Sequence, residues 1–116
     1  MTTLNAADLR AARCRPLGAA ARLDAAQLAP QLAAVPGWSH VDGALQRDFR
    51  FADFHRTMAF VNALAWIAHA EDHHPELLVS YGGCRVRWNT HSAGGVTVND
   101  FICAAKTNAL LPDDAR

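Results

Sequence analysis

The stretch HAEDHHPELLVSYGGCRVRWNTH, residues 69–91, decides the fold, because three local signals meet within it. Pro75 disfavours helical backbone at His74, so the helix that enters the stretch is expected to end near His73. Leu77 to Tyr81 then reads as a strand, Gly82-Gly83 as a tight turn and Cys84 to Thr90 as the returning strand. Along that second strand Cys84, Val86, Trp88 and Thr90 alternate with Arg85, Arg87, Asn89 and His91, so one face is apolar and the other wet. The same residues hold four of the chain's six histidines. Composition gives no reason for such crowding, and any chemistry is expected here.

Upstream, Asp53 is placed to cap a long helix from Phe54 to about His73. Phe54, Met58, Val61, Leu64 or Ala65, and Ala68 recur at helical spacing and are expected to face a sheet. Phe60, Ala63 and Ile67 make a second apolar row, which a partner surface or a wide core face would equally explain. Before this helix, Trp38 to Val41 and Ala44 to Phe51 read as a hairpin about Asp42-Gly43, a dipeptide suited to a turn with positive φ. Leu45, Phe49 and Phe51 share one parity with Arg47. Earlier still, Asp24 and Gln27 form a capping box for a helix over Ala25 to Ala34, shortened or kinked by Pro30. Residues 1–22 read as a poorly specified arm, with one helical turn around Ala6 to Arg13. Downstream, Thr97 and Asp100 form a capping box for a last helix reaching about Leu110. Residues 113–116 are expected to fray.

The order is therefore helix, hairpin, helix, hairpin, helix. Two adjacent hairpins pair most simply as one four-stranded antiparallel sheet. Helices on one of its faces then give a two-layer α+β domain over residues 23–112. At 116 residues the chain fits one domain. Eleven basic and eleven acidic residues cancel, and no like-charge run could track a phosphate backbone, which argues against nucleic acid as a direct ligand. Three widely spaced cysteines make neither a metal knuckle nor a disulfide framework, and no apolar run is long enough to span a membrane. The expectation is a soluble cytoplasmic protein without membrane contact.

Several readings of the histidines stand side by side. Spacing puts His69 and His73 on one helix face, about 6 Å apart. Pro75 lets the chain turn, so that His73 and His74 can address one cleft, and His91 ends the strand at the same rim. Histidines near a helix C-terminus can simply oppose the macrodipole. His69 and His73 are spaced like a zinc pair, but Ala70-Glu71-Asp72 between them does not make the HExxH motif, whose Glu follows the first His. No cysteine stands in a nucleophile motif. General acid–base work suits imidazoles, which titrate near neutrality. Glu71, Asp72 and Asp100 are available to orient them, and Asp100 is equally explained as a capping partner.

These residues resemble the pterin-4a-carbinolamine dehydratases, also known as dimerisation cofactors of a homeodomain transcription factor. The family pattern sets an acidic, Lys or His residue, then three residues, then His-His-Pro. An aromatic, a later His and finally an Asp follow it. Here it reads His69, His73-His74-Pro75, Tyr81, Thr90-His91 and Asp100. Pro36-Gly37-Trp38, Phe49-x-Phe51-x-x-Phe54 and Gly94-Gly95 match as well, so the resemblance covers about residues 23–110. It implies two ββα units with helices on one face of the sheet. It further implies removal of water from a 4a-hydroxytetrahydropterin to give the quinonoid dihydropterin, in recycling of tetrahydrobiopterin, by a homodimer or homotetramer. By resemblance, His73 and His91 are the acids for the leaving hydroxyl, and His74 binds substrate and helps as base. Asp72 to His74 and Asn89, Thr90, His91 and Ser92 line the pterin. No metal or bound cofactor is implied. Many members carry Glu where this chain has His69, so Glu71 or Asp72 would have to supply the negative charge beside His73. Some members act as scaffolds or assembly factors instead, but degenerate ones lose the histidines that this chain keeps.

Overall fold

The first hairpin turn forms as its sequence requires, whereas the second falls on Tyr81-Gly82, one residue before the expected Gly82-Gly83, because Ser80 already pairs with Gly83. In the computed structural model, which describes residues 3–112, Asp42 and Gly43 take φ of 48° and 79°. This double positive-φ turn matches the natural strand twist. It joins β1 (Ser39–Val41) to β2 (Ala44–Arg50), and the second hairpin joins β3 (Glu76–Ser80) to β4 (Gly83–Trp88). The sheet is antiparallel with order β1-β2-β4-β3. β2 and β4 are thus central, pairing Leu45 with Trp88 and Phe49 with Cys84. β3 is an edge strand whose five residues are all exposed. The expected α+β architecture is what the chain adopts.

Three helices follow the expected order with shorter ends: α2 (Ala25–Leu32), α3 (Phe54–Glu71) and α4 (Val98–Asn108). The capping boxes of Asp24 with Gln27 and of Thr97 with Asp100 are both formed. The core lies between the inner sheet face (Leu45, Phe49, Cys84, Val86 and Trp88) and the helices, chiefly Phe60, Leu64, Phe101, Ile102 and Ala105. Arg47 shares the inward parity because its charge is met there. Its Nη1 donates to Asn108 Oδ1 at 2.6 Å and to Pro36 O at 3.1 Å, and its guanidinium lies 4.5 Å over the Phe49 ring.

Two expectations need correction. The buried stripe of α3 is Thr57, Phe60, Leu64, Ala68 and Glu71, rotated from the row through Phe54, Met58, Val61 and Ala65. Thr57 is polar, yet its hydroxyl bonds the carbonyls of Asp53 and Tyr81, which makes its burial tolerable. Phe60 seats against Phe49 and Phe51 at 4.6 and 5.1 Å, while Phe54 and Trp66 are 47% and 73% exposed.

Over its described residues the arm is also ordered, and the helical turn expected around Ala6 to Arg13 forms. A short helix α1 (Ala6–Ala11) is closed by a capping box of Asn5 and Asp8, buries Leu9 completely and packs on α4. The backbone N–H and C=O of Leu4 are both bonded by the Gln31 side chain. One buried leucine and paired polar contacts specify what an Ala- and Arg-rich composition concealed. The fraying expected at 113–116 lies outside the described residues. None of the described helices is long and apolar enough to cross a membrane.

Candidate active site

The helix α3 stops two residues earlier than Pro75 alone requires. Asp72 turns into the left-handed region at φ 49°, ψ 45°. The His73 N–H then reaches back to Ala68 O and the Asp72 N–H to His69 O, a Schellman-type ending that satisfies orphan carbonyls. His73 is therefore off the helix, and the expected pairing of His69 and His73 on one helix face does not form. His69 stays on α3, exposed, with its ring edge-on to Trp66 at 5.9 Å between centroids.

His73 instead turns inward. Its Nε2 lies 2.7 Å from Asp100 Oδ1, with side-chain exposures of 12% and 0% for the two residues. Its ring stacks on Trp88 at 5.6 Å and 7°. The other oxygen, Asp100 Oδ2, accepts the Thr97 N–H and the Thr90 hydroxyl, each at 2.9 Å. Since the Thr90 proton is committed to Asp100, the 2.7 Å contact between Thr90 and Thr97 hydroxyls is a donation from Thr97. A carboxylate that accepts from every side fixes the remaining contact as Nε2–H donating to Oδ1. That sets the imidazole tautomer and leaves Nδ1 for exchange with a ligand.

Asp100 thus joins two segments. One is Asp72-His73-His74-Pro75; the other is Asn89-Thr90-His91-Ser92. The β3–β4 register, Glu76 opposite Arg87 and Leu77 opposite Val86, continues toward His74 beside Asn89. His91 opens a 3₁₀ turn (His91–Ala93) that ends on Gly94 at φ 73°. His74, Asn89, His91 and Ser92 are exposed, so the rim offers two open imidazoles beside one that is anchored.

The chain belongs to the pterin-4a-carbinolamine dehydratase family. The family model described as pterin 4 alpha carbinolamine dehydratase matches residues 21–110. A protein of Stenotrophomonas maltophilia (strain K279a) assigned as such a dehydratase is 57% identical over 105 residues, covering 88% of this chain and 90% of its own. A like-named protein of Xanthomonas axonopodis pv. citri is 56% identical, covering 88% and 89%. A crystal structure of a transcriptional coactivator/pterin dehydratase from Brucella melitensis superposes with a TM-score of 0.75 at 38% identity, covering 78% of this chain and 99% of that one. A dehydratase of this kind is a hydro-lyase, and the histidine segments described above lie inside the matched span.

Against this dehydratase pattern, the supporting carboxylates divide. Asp100 serves the cap and His73 together. Glu71, expected to orient a histidine, is instead buried against the arm and α4, where it accepts from Arg13 Nε and Cys14 N and pairs with Lys106. Burial pushes its carboxyl up, but the Cys14 N–H, Lys106 and Arg13 outweigh it and hold the group below the usual range. Asp72 is exposed and supplies the turn. Two participants were missed: Trp88, read only as core, is the platform under His73, and Thr97 adds its hydroxyl to that of Thr90, a residue expected at the site only as part of the pterin lining. The strand register, continued past Glu76, was the available signal for Trp88.

Proposed function

We propose that this chain dehydrates a 4a-hydroxytetrahydropterin, with His73 and His91 as proton donors to the 4a-oxygen and His74 as substrate-binding residue and base. Breaking the C4a–O bond needs a proton on the departing oxygen, and the electron pair comes from N5 as it loses its own proton. The products are water and the quinonoid dihydropterin. A placed acid and base contribute roughly 10²–10⁴-fold for such transfers, and holding a flat ring against them contributes more. The observation that carries the reading is the 2.7 Å contact of His73 with buried Asp100. It favours an imidazole held in one tautomer and orientation, with Nδ1 offered to the rim. Asp72 to His74 and Asn89 to Ser92 would line the pterin, and recycling of tetrahydrobiopterin in the cytoplasm is the role this chemistry serves.

The exposed apolar residues of edge strand β3 (Leu77, Leu78 and Val79) together with Trp66 on α3 support a homodimer or homotetramer, which light scattering would measure. They also favour, as a second reading, a scaffold or dimerisation role beside catalysis. Dehydration of a 4a-carbinolamine by the wild type and by His74→Ala tests the main proposal. The wild type should outpace the spontaneous reaction and His74→Ala should lose most of that gain. A wild type no faster than the uncatalysed reaction would transfer the assignment to the scaffold reading.

A further inference from the structure

We propose that residues 13–17 are a positioning strap for the active site, gripping each of its three segments from behind. The inference rests on the acid–base reading above and extends it to residues that lie ahead of the family-matched span, which begins at residue 21.

The strap makes three sets of polar contacts. Arg13 donates through Nη2 to Ala70 O at 2.9 Å and pairs through Nε with Glu71 Oε2 at 3.0 Å, while the Cys14 N–H donates to Glu71 Oε1 at 2.8 Å. Next, the Arg15 N–H donates to Asn99 Oδ1 at 3.3 Å and Arg15 O accepts from Asn99 Nδ2 at 2.7 Å, so a buried side-chain amide pairs with arm backbone as a strand would. Finally, Leu17 O accepts from Ser92 Oγ at 2.7 Å. Glu71 stands two residues before His73, Asn99 one before Asp100 and Ser92 one after His91. Each grip is thus one or two residues from an imidazole or carboxylate of the site.

A strap that only sealed the core would use apolar burial, as Leu9 does. This one instead matches polar group to polar group at the ends of α3, α4 and the 3₁₀ turn, which are the points where backbone shifts would move His73, Asp100 and His91 relative to one another. Misplacement of about 1 Å at a reacting group costs up to about 100-fold in rate, so loosening the grips should appear in turnover before it appears in binding. The site's chemical groups are unchanged by the strap, so its residues are positioning residues and not catalytic ones.

The test compares Asn99→Ala and Arg13→Ala with Leu28→Ala, a core truncation in α2 at a residue that makes none of these hydrogen bonds. Three readouts apply: kcat and KM for carbinolamine dehydration, melting temperature, and the ¹⁵N signals of the His73 imidazole in the substrate-free protein. Strap variants should lower kcat on the order of tenfold with KM within about twofold, and should move the His73 signals. Arg13→Lys, which keeps a cation for Glu71, should recover part of the loss. Leu28→Ala should lower the melting temperature and leave kcat and the His73 signals in place. Should Asn99→Ala fail to fold, Arg13→Ala, whose side chain is 69% exposed, decides alone. Folded strap variants with wild-type kcat and unmoved His73 signals would overturn the proposal. If the wild type proves inactive, the imidazole signals still judge the strap while the dehydratase reading fails by itself.

Discussion

The two hairpin–helix halves follow one plan and use it in opposite ways. In the first half Asp53 caps α3 by accepting the Arg56 N–H at 2.8 Å, and its side chain is 41% exposed. In the second half Asp100 completes the capping box of α4 while wholly buried. An exposed cap carboxylate leaves its spare lone pairs to water. A buried one must find protein donors for both oxygens, and here the second oxygen finds His73. The comparison teaches that the site's central carboxylate is a capping-box partner sunk below the surface. The helices also differ in which end they give to the site: α3 delivers His73 after its last turn, and α4 delivers Asp100 in its first.

Removing the two acids should break the halves unequally. Asp100→Asn keeps an acceptor for the Thr97 N–H but removes the negative partner of His73. We expect dehydration to fall by about 10²-fold or more and stability to drop by roughly 2–4 kcal/mol, as a buried network loses one member. Asp53→Ala should cost about 1 kcal/mol, the usual loss for an exposed cap, with turnover unchanged. Steady-state kinetics and urea unfolding measure both. Equal losses in the two variants would mean that burial is not what separates the caps.

A smaller effect should come from the C-terminal end of α3. A carboxylate in the last helical turn opposes the macrodipole, so Glu71 depends on the donors around it. Its carboxyl is pushed up by burial and held low overall by the Cys14 N–H, Lys106 and Arg13. A depressed folded value means that its contribution is fully present above the unfolded carboxyl value, about 4.3. It is lost as pH falls through the lower folded value. Glu71→Gln should therefore lower stability by about 1–2 kcal/mol at pH 7. The gap to wild type should close in strong acid, where Glu71 is protonated as well. Urea midpoints of both proteins across that range would show it, and a gap that persists in acid would mean that charge is not the source.

The second half was more legible than the first. Strand alternation in β4 and the Thr97–Asp100 box are local patterns, and both formed as read. The α3 stripe was misread because Thr57 and Glu71, polar by composition, are buried through hydrogen bonds that only the folded chain supplies. The arm was illegible for the same reason: Arg13, Arg15 and Leu17 act through contacts more than 50 residues away in sequence. At the site, the histidine segments were readable from spacing, whereas the Trp88 platform needed the strand register. The left-handed Asp72 escaped notice because Asp tolerates that conformation without announcing it as Gly would.

That left-handed turn also sets the smallest prediction. Had α3 continued, His69 would stand one turn from His73 and could tune it. The turn at Asp72 instead sends His73 inward to Asp100, while His69 remains on the exposed face with Trp66. A negative charge at position 69 would therefore meet solvent before it met the anchored imidazole, where screening is strong. His69→Glu should hold kcat/KM within about twofold of wild type, a change under roughly 0.5 kcal/mol in the barrier. The acid's position near the helix C-terminus should cost a further 0.3–1 kcal/mol or so of stability. Kinetics and a melting curve on the same preparation test both halves of the claim. A large loss of turnover would give His69 a task of its own in binding or proton transfer, and would mean that the first half contributes to the site from within α3 and not only after its end.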